Sequence, residues 1–210
     1  MIERKIDHTC LKAFATKDDI NKLCNEAIKY NFYSVCVNPC FVSLAKNILV
    51  NSNVRVATVV GFPLGANTSE TKEFETIDAI KNGADEIDMV INISALKNKD
   101  YNYLLNDIEV VVRAAKGKLV KIIIETCYLT NEEIEEICHI SEKAGAQYVK
   151  TSTGFGTGGA KVEDIVLIKK NISSNIGIKA SGGIKTKEDA SSMLNAGATR
   201  LGTSSSIDII

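Results

Sequence analysis

Hydrophobic and polar positions along this chain form a repeated unit of two parts. An amphipathic segment with a polar start ends in Gly-Ala, and an apolar, β-rich run follows at once. The unit occurs at Asn82-Gly83-Ala84 before EIDMVIN, at Ala144-Gly145-Ala146 before YVKTSTG and at Ala196-Gly197-Ala198 before RLGTSS. Glycine suits the left-handed residue that ends a helix. The pattern therefore predicts a helix, a cap and a strand in that order.

The starts of the predicted helices carry capping signals. Thr16 and Thr130 are each followed three residues later by an acid, Asp19 and Glu133. A threonine hydroxyl there can accept from free backbone N–H groups, and an acid in the first turn favours the helix dipole. From Thr130 to Gly145, small or apolar residues recur at helical spacing.

The same pattern predicts eight strands, beginning near Ile6, Ser34, Arg55, Glu86, Val120, Tyr148, Gly177 and Arg200. Their starts are roughly 20 to 35 residues apart, which is one strand–helix unit each. The runs VRVATVV, VKIIIET and EIDMVI are almost continuously apolar, as in strands covered on both faces. We predict a single domain over residues 1–210 with a (β/α)8 TIM-barrel fold. An open doubly wound sheet is the alternative.

Composition narrows the class of protein. The chain has 210 residues, 45% of them hydrophobic and 24% charged, with a net charge of −1. This balance argues against a nucleic-acid binder and against a disordered chain. The N-terminus shows no apolar signal region, and no apolar stretch approaches the ~20 residues of a membrane helix. We therefore expect a soluble cytoplasmic protein that binds neither nucleic acid nor membrane.

Six cysteines are scattered along the chain, and we expect reduced thiols rather than disulfides. Cys36 and Cys40 lie four residues apart, but no second pair follows at zinc-site spacing. The sequence thus predicts no metal site. Cys36 could face a site at the end of its strand, although a structural thiol is the simpler interpretation.

Charged residues interrupt several strands that should be buried. They are Asp88 in EIDMVIN, Lys150 in YVKTSTGFG and Lys179 in IGIKASGG. A buried charge is costly unless it is paired or hydrated. Lys121 and Glu125, in VKIIIET, are four residues apart and could pair on one side of a strand. Rim charges or buried salt bridges would explain any one of these residues, but less readily the whole set.

Small residues and hydroxyls follow the last strands. Thr-Ser-Thr-Gly-Phe-Gly follows Lys150, Ala-Ser-Gly-Gly follows Lys179, and the final strand ends Gly-Thr-Ser-Ser. A TIM barrel commonly binds phosphate after strands seven and eight. We therefore predict a phosphate site formed by Thr153, Gly182, Gly183, Gly202, Ser204 and Ser205.

Two lysines on neighbouring strands have a chemical use. A free lysine has a pKa near 10.4, so about one amine in two thousand is neutral at pH 7. A Schiff base needs the neutral amine, and partial burial and a second ammonium both lower the pKa. One lysine could then react while the other stays charged. Asp88 could hold the charged lysine or relay protons through water.

These segments resemble the deoxyribose-phosphate aldolase family over nearly the whole chain. The matching segments are IDHT, SVCVNP, VVGFPLG, NGADEIDMVIN, KIIIET, YVKTSTGFG and KASGGI, in the family's order. The resemblance implies a class I aldolase without metal or cofactor. Its substrate would be 2-deoxy-D-ribose 5-phosphate, a phosphosugar, and its products D-glyceraldehyde 3-phosphate and acetaldehyde. It also implies a homodimer or homotetramer.

The resemblance assigns roles to individual residues. It makes Lys150 the Schiff-base lysine, with Lys179 and Asp88 as proton donors and acceptors. It gives Asp7, Thr9 and Lys121 supporting positions, and it carries the phosphate loops over to Gly182, Gly183, Ser204 and Ser205. Some family members end in a tail with a terminal tyrosine, whereas Ser206–Ile210 contains no aromatic residue. A lyase for another phosphosugar and a non-catalytic sugar-phosphate binder are the rival functions.

Overall fold

Eight parallel strands close into a barrel in the computed structural model, which describes residues 2–210. They are β1 (Ile6–Cys10), β2 (Ser34–Val37), β3 (Arg55–Val60), β4 (Glu86–Val90), β5 (Leu119–Ile123), β6 (Tyr148–Lys150), β7 (Gly177–Ser181) and β8 (Arg200–Thr203). β8 pairs with β1, as in Asp7 with Gly202, so the ring has no edge. The predicted barrel is confirmed, and the alternative of an open sheet is wrong. β5 begins one residue earlier than predicted.

Helices connect the strands on the outside of the barrel. They are α1 (Lys17–Lys29), α2 (Val42–Ile48), α3 (Ser69–Lys81), α4 (Ile93–Lys97), α5 (Tyr101–Ala114), α6 (Asn131–Lys143), α7 (Val162–Lys170), α8 (Lys187–Ala196) and α9 (Ser206–Ile209). Short 3-10 turns cover Glu3–Lys5, Pro39–Phe41 and Thr126–Tyr128. Both α4 and α5 lie between β4 and β5, and α9 follows the last strand.

The residues predicted to begin and end the helices do so in the structure. Thr16 and Thr130 form complete capping boxes with Asp19 and Glu133. The three Gly-Ala glycines all have positive φ, from 85° to 127°, and lie within two residues of the end of their helices. Each helix is therefore stopped by its own sequence, and the chain turns at once into the next strand.

The apolar core lies between the strands and the helices. Ile87, Ile122 and Val149 are fully buried in it, at positions that alternate with charged residues of the same strands. Since successive side chains of a strand point to opposite faces, the charged residues point into the barrel. The interior is thus polar where barrels usually carry branched aliphatic side chains.

Within residues 2–210 no helix is both long and apolar enough to span a lipid bilayer. The six cysteines are free thiols, and Cys24, Cys36 and Cys138 among them are buried.

Removal of one capping box tests the local origin of α6. We expect Thr130→Ala to lower the free energy of unfolding by about 1 kcal/mol, because the N–H of Glu133 loses its acceptor. Thr130→Ser keeps the hydroxyl and serves as the control. Urea denaturation of both variants measures the difference, and equal stabilities would contradict the capping assignment.

Candidate active site

Asp88 lies at the centre of a cluster of charged side chains inside the barrel. Its Oδ2 accepts from the Nζ of Lys150 at 2.9 Å and from the Nζ of Lys179 at 2.8 Å. Its Oδ1 accepts from the Nζ of Lys121 at 2.7 Å. Lys150 and Lys179 are direct neighbours across β6 and β7, and Asp88 and Lys121 are neighbours across β4 and β5. The structure thus brings together all three residues that the sequence placed at the centre of the chemistry.

The two lysines that share Oδ2 differ in their other partners. Lys179 also lies 2.5 Å from Asp7 Oδ2, whereas Asp88 is the carboxylate that Lys150 contacts. Burial would lower the pKa of Lys179, but Asp7 and Asp88 together raise it above its usual range. Burial lowers the pKa of Lys150; Asp88 opposes this shift, and the Lys179 ammonium adds to it. Lys179 therefore remains charged while Lys150 is the amine that can lose its proton.

The carboxylates of the cluster stay ionised despite their burial. Burial would raise the pKa of Asp88, but Lys121, Lys150 and Lys179 hold it well below the usual range. Asp7 behaves alike, since the opposing effect of Lys179 and Arg200 exceeds that of burial and lowers its pKa. Both aspartates are therefore carboxylates before the substrate binds.

Charge is balanced inside the barrel without Lys150. Three carboxylates, of Asp7, Glu86 and Asp88, face three cations, of Lys121, Lys179 and Arg200, and all six side chains are at most 4% exposed. Protonated Lys150 would be a fourth buried cation. An excess charge in a poorly hydrated interior is costly, so the balance favours the neutral amine.

A cavity of about 430 Å³ lies at the carboxyl ends of the strands, and Lys150 lines it. The predicted phosphate residues Thr153, Gly182, Gly183, Gly202, Ser204 and Ser205 line the same cavity, as does Thr9. Within residues 2–210 no protein atom accepts a hydrogen bond from the backbone N–H of Gly182, Gly183 or Ser204. This part of the cavity wall can therefore donate to an anion.

Two residues of the predicted phosphate site have additional roles. A Cβ on Gly202 would lie 2.8 Å from Cε of Lys179, so this glycine leaves room for the buried lysine. The hydroxyl of Thr153 donates to Glu125, and the N–H of Phe155 donates to that hydroxyl. Thr153 thereby holds the loop after β6, and its hydroxyl is already occupied by two protein partners.

The expected pairing of Lys121 with Glu125 is wrong. Lys121 Nζ lies 2.6 Å from Glu86 Oε2, on the same strand face as Asp88. Glu125 lies beyond the end of β5 with a left-handed φ of 54°, and it accepts from the N–H of Thr153 at 3.1 Å. The left-handed turn takes Glu125 off the strand's alternation, so spacing along the sequence could not place it.

The remaining predicted residues lie near the cluster. Cys36 is fully buried on β2, in a small apolar group with Leu11, Ala57 and Val59. Burial raises the pKa of its thiol, and Asp88 adds to that shift. The Thr9 hydroxyl donates to the carbonyl of Asp7 at 2.9 Å. Their position beside the cluster agrees with supporting roles, which stay predictions.

Sequence reasoning missed Glu86 and Arg200. Glu86 contacts Lys121 at 2.6 Å, and Arg200 contacts Asp7 at 2.7 Å. The signal for Glu86 was available, because it precedes Asp88 by two residues and so shares its strand face. Arg200, as the first residue of a predicted strand, gave no comparable signal.

Comparison with known proteins gives consistent matches. A family model described as DeoC/LacD family aldolase matches residues 3–205. A protein from Thermococcus kodakarensis named deoxyribose-phosphate aldolase is 58% identical over 213 residues, covering 100% of this chain and 95% of that protein. One of the same name from Clostridium novyi is 56% identical, with coverage of 100% and 95%.

Solved structures agree with these matches. A putative deoxyribose-phosphate aldolase from Coccidioides immitis superposes with a TM-score of 0.97 at 44% identity, covering 99% of this chain and 83% of that chain. A deoxyribose phosphate aldolase from Aeropyrum pernix, described as a tetramer, gives a TM-score of 0.93 at 31% identity, with coverage of 99% and 88%. The family inferred from the sequence motifs is confirmed.

The asymmetry between the two lysines can be measured without a substrate. We expect Lys150 to undergo reductive methylation at a lower pH than is usual for lysine, because burial lowers its pKa. Mass spectrometry of digests across a pH series locates the modified residues. Lys150→Leu should remove the early-reacting position, and its persistence in that variant would contradict the assignment.

Proposed function

The chain belongs to the DeoC/LacD family of aldolases, and from this premise we propose that it reversibly cleaves 2-deoxy-D-ribose 5-phosphate to D-glyceraldehyde 3-phosphate and acetaldehyde through a Schiff base on Lys150. The observation that supports this most directly is the sharing of one Asp88 oxygen by two lysines, of which Lys150 lines the cavity. A protein that only binds a phosphosugar has no need of a second buried amine.

The first step uses the neutral amine. Nζ of Lys150 attacks the aldehyde carbon of the open-chain sugar, and loss of water gives a protonated imine. The new positive charge forms beside Asp88 Oδ2, which lies 2.9 Å from this nitrogen before reaction. The carboxylate thereby stabilises the imine that withdraws electrons from the substrate.

Carbon–carbon cleavage follows from the protonated imine. A water held by Asp88 and Lys179 removes the proton of the C3 hydroxyl, and the C2–C3 bond breaks, with its electron pair moving toward the imine. D-glyceraldehyde 3-phosphate leaves, and an enamine remains on Lys150. Protonation of its terminal carbon and addition of water release acetaldehyde and restore the amine.

The phosphate contributes binding energy far from the reacting bond. We place it against the backbone N–H groups of Gly182, Gly183 and Ser204, with Ser205 and Gly202 completing the wall. Lys150 and these loops line one cavity, so an anchored phosphate would direct the aldehyde toward the amine.

We further propose a cytoplasmic enzyme that forms a homodimer or a homotetramer. The tetrameric relative from Aeropyrum pernix supports an oligomer. Exposed apolar side chains on α3 offer a surface for contact, since Phe74 is 71% and Ile77 is 46% exposed. Free thiols throughout the chain fit a reducing compartment.

Trapping of the imine tests the nucleophile. With 2-deoxy-D-ribose 5-phosphate and borohydride, the protein should gain a reduced adduct on Lys150, and Lys150→Leu should gain none. The variant should fold, because the remaining three cations and three carboxylates stay balanced. Lys170→Leu, at an exposed lysine, is the matched control. An adduct on another lysine would refute the proposal, and other phosphosugars in place of the substrate test its breadth.

Substitution of the second lysine tests its electrostatic role. In Lys179→Leu two carboxylates lose a shared cation, so protonation of Lys150 becomes more favourable and its pKa rises. We expect imine formation at neutral pH to slow by about tenfold or more and to recover at higher pH. Stopped-flow or quenched trapping measures the rate, with Lys179→Arg as the charge-retaining control. Near-normal rates at pH 7 would contradict this role.

A further inference from the structure

Arg200 lies at the amino-terminal end of the barrel, opposite the cavity. It is the first residue of β8, and its side chain is 4% exposed. Its guanidinium carbon lies 3.4 Å from the centroid of the Tyr33 ring. One of its nitrogens, Nη1, lies 2.7 Å from Asp7 Oδ1 and 3.5 Å from Glu86 Oε2. Arg200 does not line the cavity, so a substrate there has no contact with it.

We propose that Arg200 is a positioning residue, which occupies Asp7 and Glu86 from the far end of the barrel and so leaves Lys150 as the surplus amine that reacts. This inference rests on the proposed function, since it concerns how Lys150 becomes a nucleophile. It assigns a role to the amino-terminal end of the barrel, which lies away from the cavity.

Two lines of contacts connect Arg200 to the reacting amine. In the first, Asp7 joins Arg200 to Lys179, and Asp88 joins Lys179 to Lys150. In the second, Glu86 joins Arg200 to Lys121, and Lys121 contacts Asp88. Acid and base alternate along both lines, so each charge is compensated by the next. Removal of a charge at one end therefore alters the balance at the other.

Few charged and titratable groups surround each member. Glu86 faces Lys121, Arg200 and, at 3.5 Å, the exposed Arg55. Lys150 faces Asp88, Lys179 and the Cys36 thiol. Asp7 faces Lys179, Arg200, Lys121 and Asp88. Arg200 faces Asp7, Glu86 and Tyr148, and its guanidinium covers Tyr33. Since these groups come from strands all round the barrel, the balance belongs to the barrel as a whole.

Arginine suits this position for chemical reasons. A guanidinium stays protonated at any pH at which the enzyme could work, and its planar donors can reach two carboxylates while its face lies on an aromatic ring. Asp7 and Glu86 further raise the pKa of Arg200 above its usual range, against the effect of burial. The cation therefore does not titrate when Lys150 does.

Opposite charge changes separate this role from simple packing. We expect Arg200→Gln to raise the pH of half-maximal imine formation by about one unit, because the three buried carboxylates then face two other cations and favour protonated Lys150. That shift corresponds to roughly tenfold slower trapping at neutral pH. Glu86→Gln should move the midpoint in the other direction. The double variant restores the charge balance, and Arg200→Lys keeps the positive charge. The pH midpoints of both variants should therefore lie near that of the unaltered protein.

The experiment is a pH series of adduct formation with 2-deoxy-D-ribose 5-phosphate and cyanoborohydride, with the adduct located by mass spectrometry. If the unaltered protein carries no adduct on Lys150, the proposed function fails. If the adduct is on Lys150 but the midpoints of Arg200→Gln and Glu86→Gln do not move in opposite directions, only the present inference fails. Should Arg200→Gln not fold, Glu86→Gln and the double variant decide, and an unshifted Glu86→Gln overturns the inference.

Discussion

A single carboxylate oxygen, Oδ2 of Asp88, accepts from two lysine amines in a poorly hydrated interior, and the rest of the site depends on this contact. Charges buried in this way are tolerated only when they are compensated, because desolvation of an ion costs several kcal/mol. Asp7 supplies the compensation for Lys179 but not for Lys150. Two chemically identical side chains at nearly equal distances from one oxygen thus differ in how readily each loses its proton. The difference arises from the other charged groups around each amine and not from a property of lysine itself.

Closure of the barrel makes this arrangement possible. Alternation along each strand directs every second side chain inward, and the parallel register aligns Lys150 with Lys179 and Asp88 with Lys121. In an open sheet β1 and β8 would not pair with each other, and Asp7 would then lose its place beside Lys179 and Arg200. The pairing of Asp7 with Gly202 across the closing strands sets this place. The fold thus supplies the electrostatics of the site as well as its shape.

The sequence predicted the strand starts, the family and the central charged residues, because each of these has a local signal. Hydrophobic runs mark the strands, and a charge within such a run marks an inward position with a chemical use. No local signal indicates which charged side chains contact one another. Glu125 left the strand face through a left-handed turn, and Arg200 gained its role from β1 and β4, distant in sequence. Curvature and register decide which opposite charges meet across the barrel, and neither can be read from spacing along one strand.

The two faces of the strands divide stability and chemistry between them. Buried ion pairs contribute little net stability compared with apolar packing, so the charged interior is not what holds the barrel together. The apolar layer between strands and helices, with Ile87, Ile122 and Val149 fully buried, is the larger source of stability. β4, β5 and β6 therefore alternate apolar residues on one face with charged residues on the other. The reactive face can keep an amine in an unfavourable environment because the opposite face of the same strand is packed with apolar side chains.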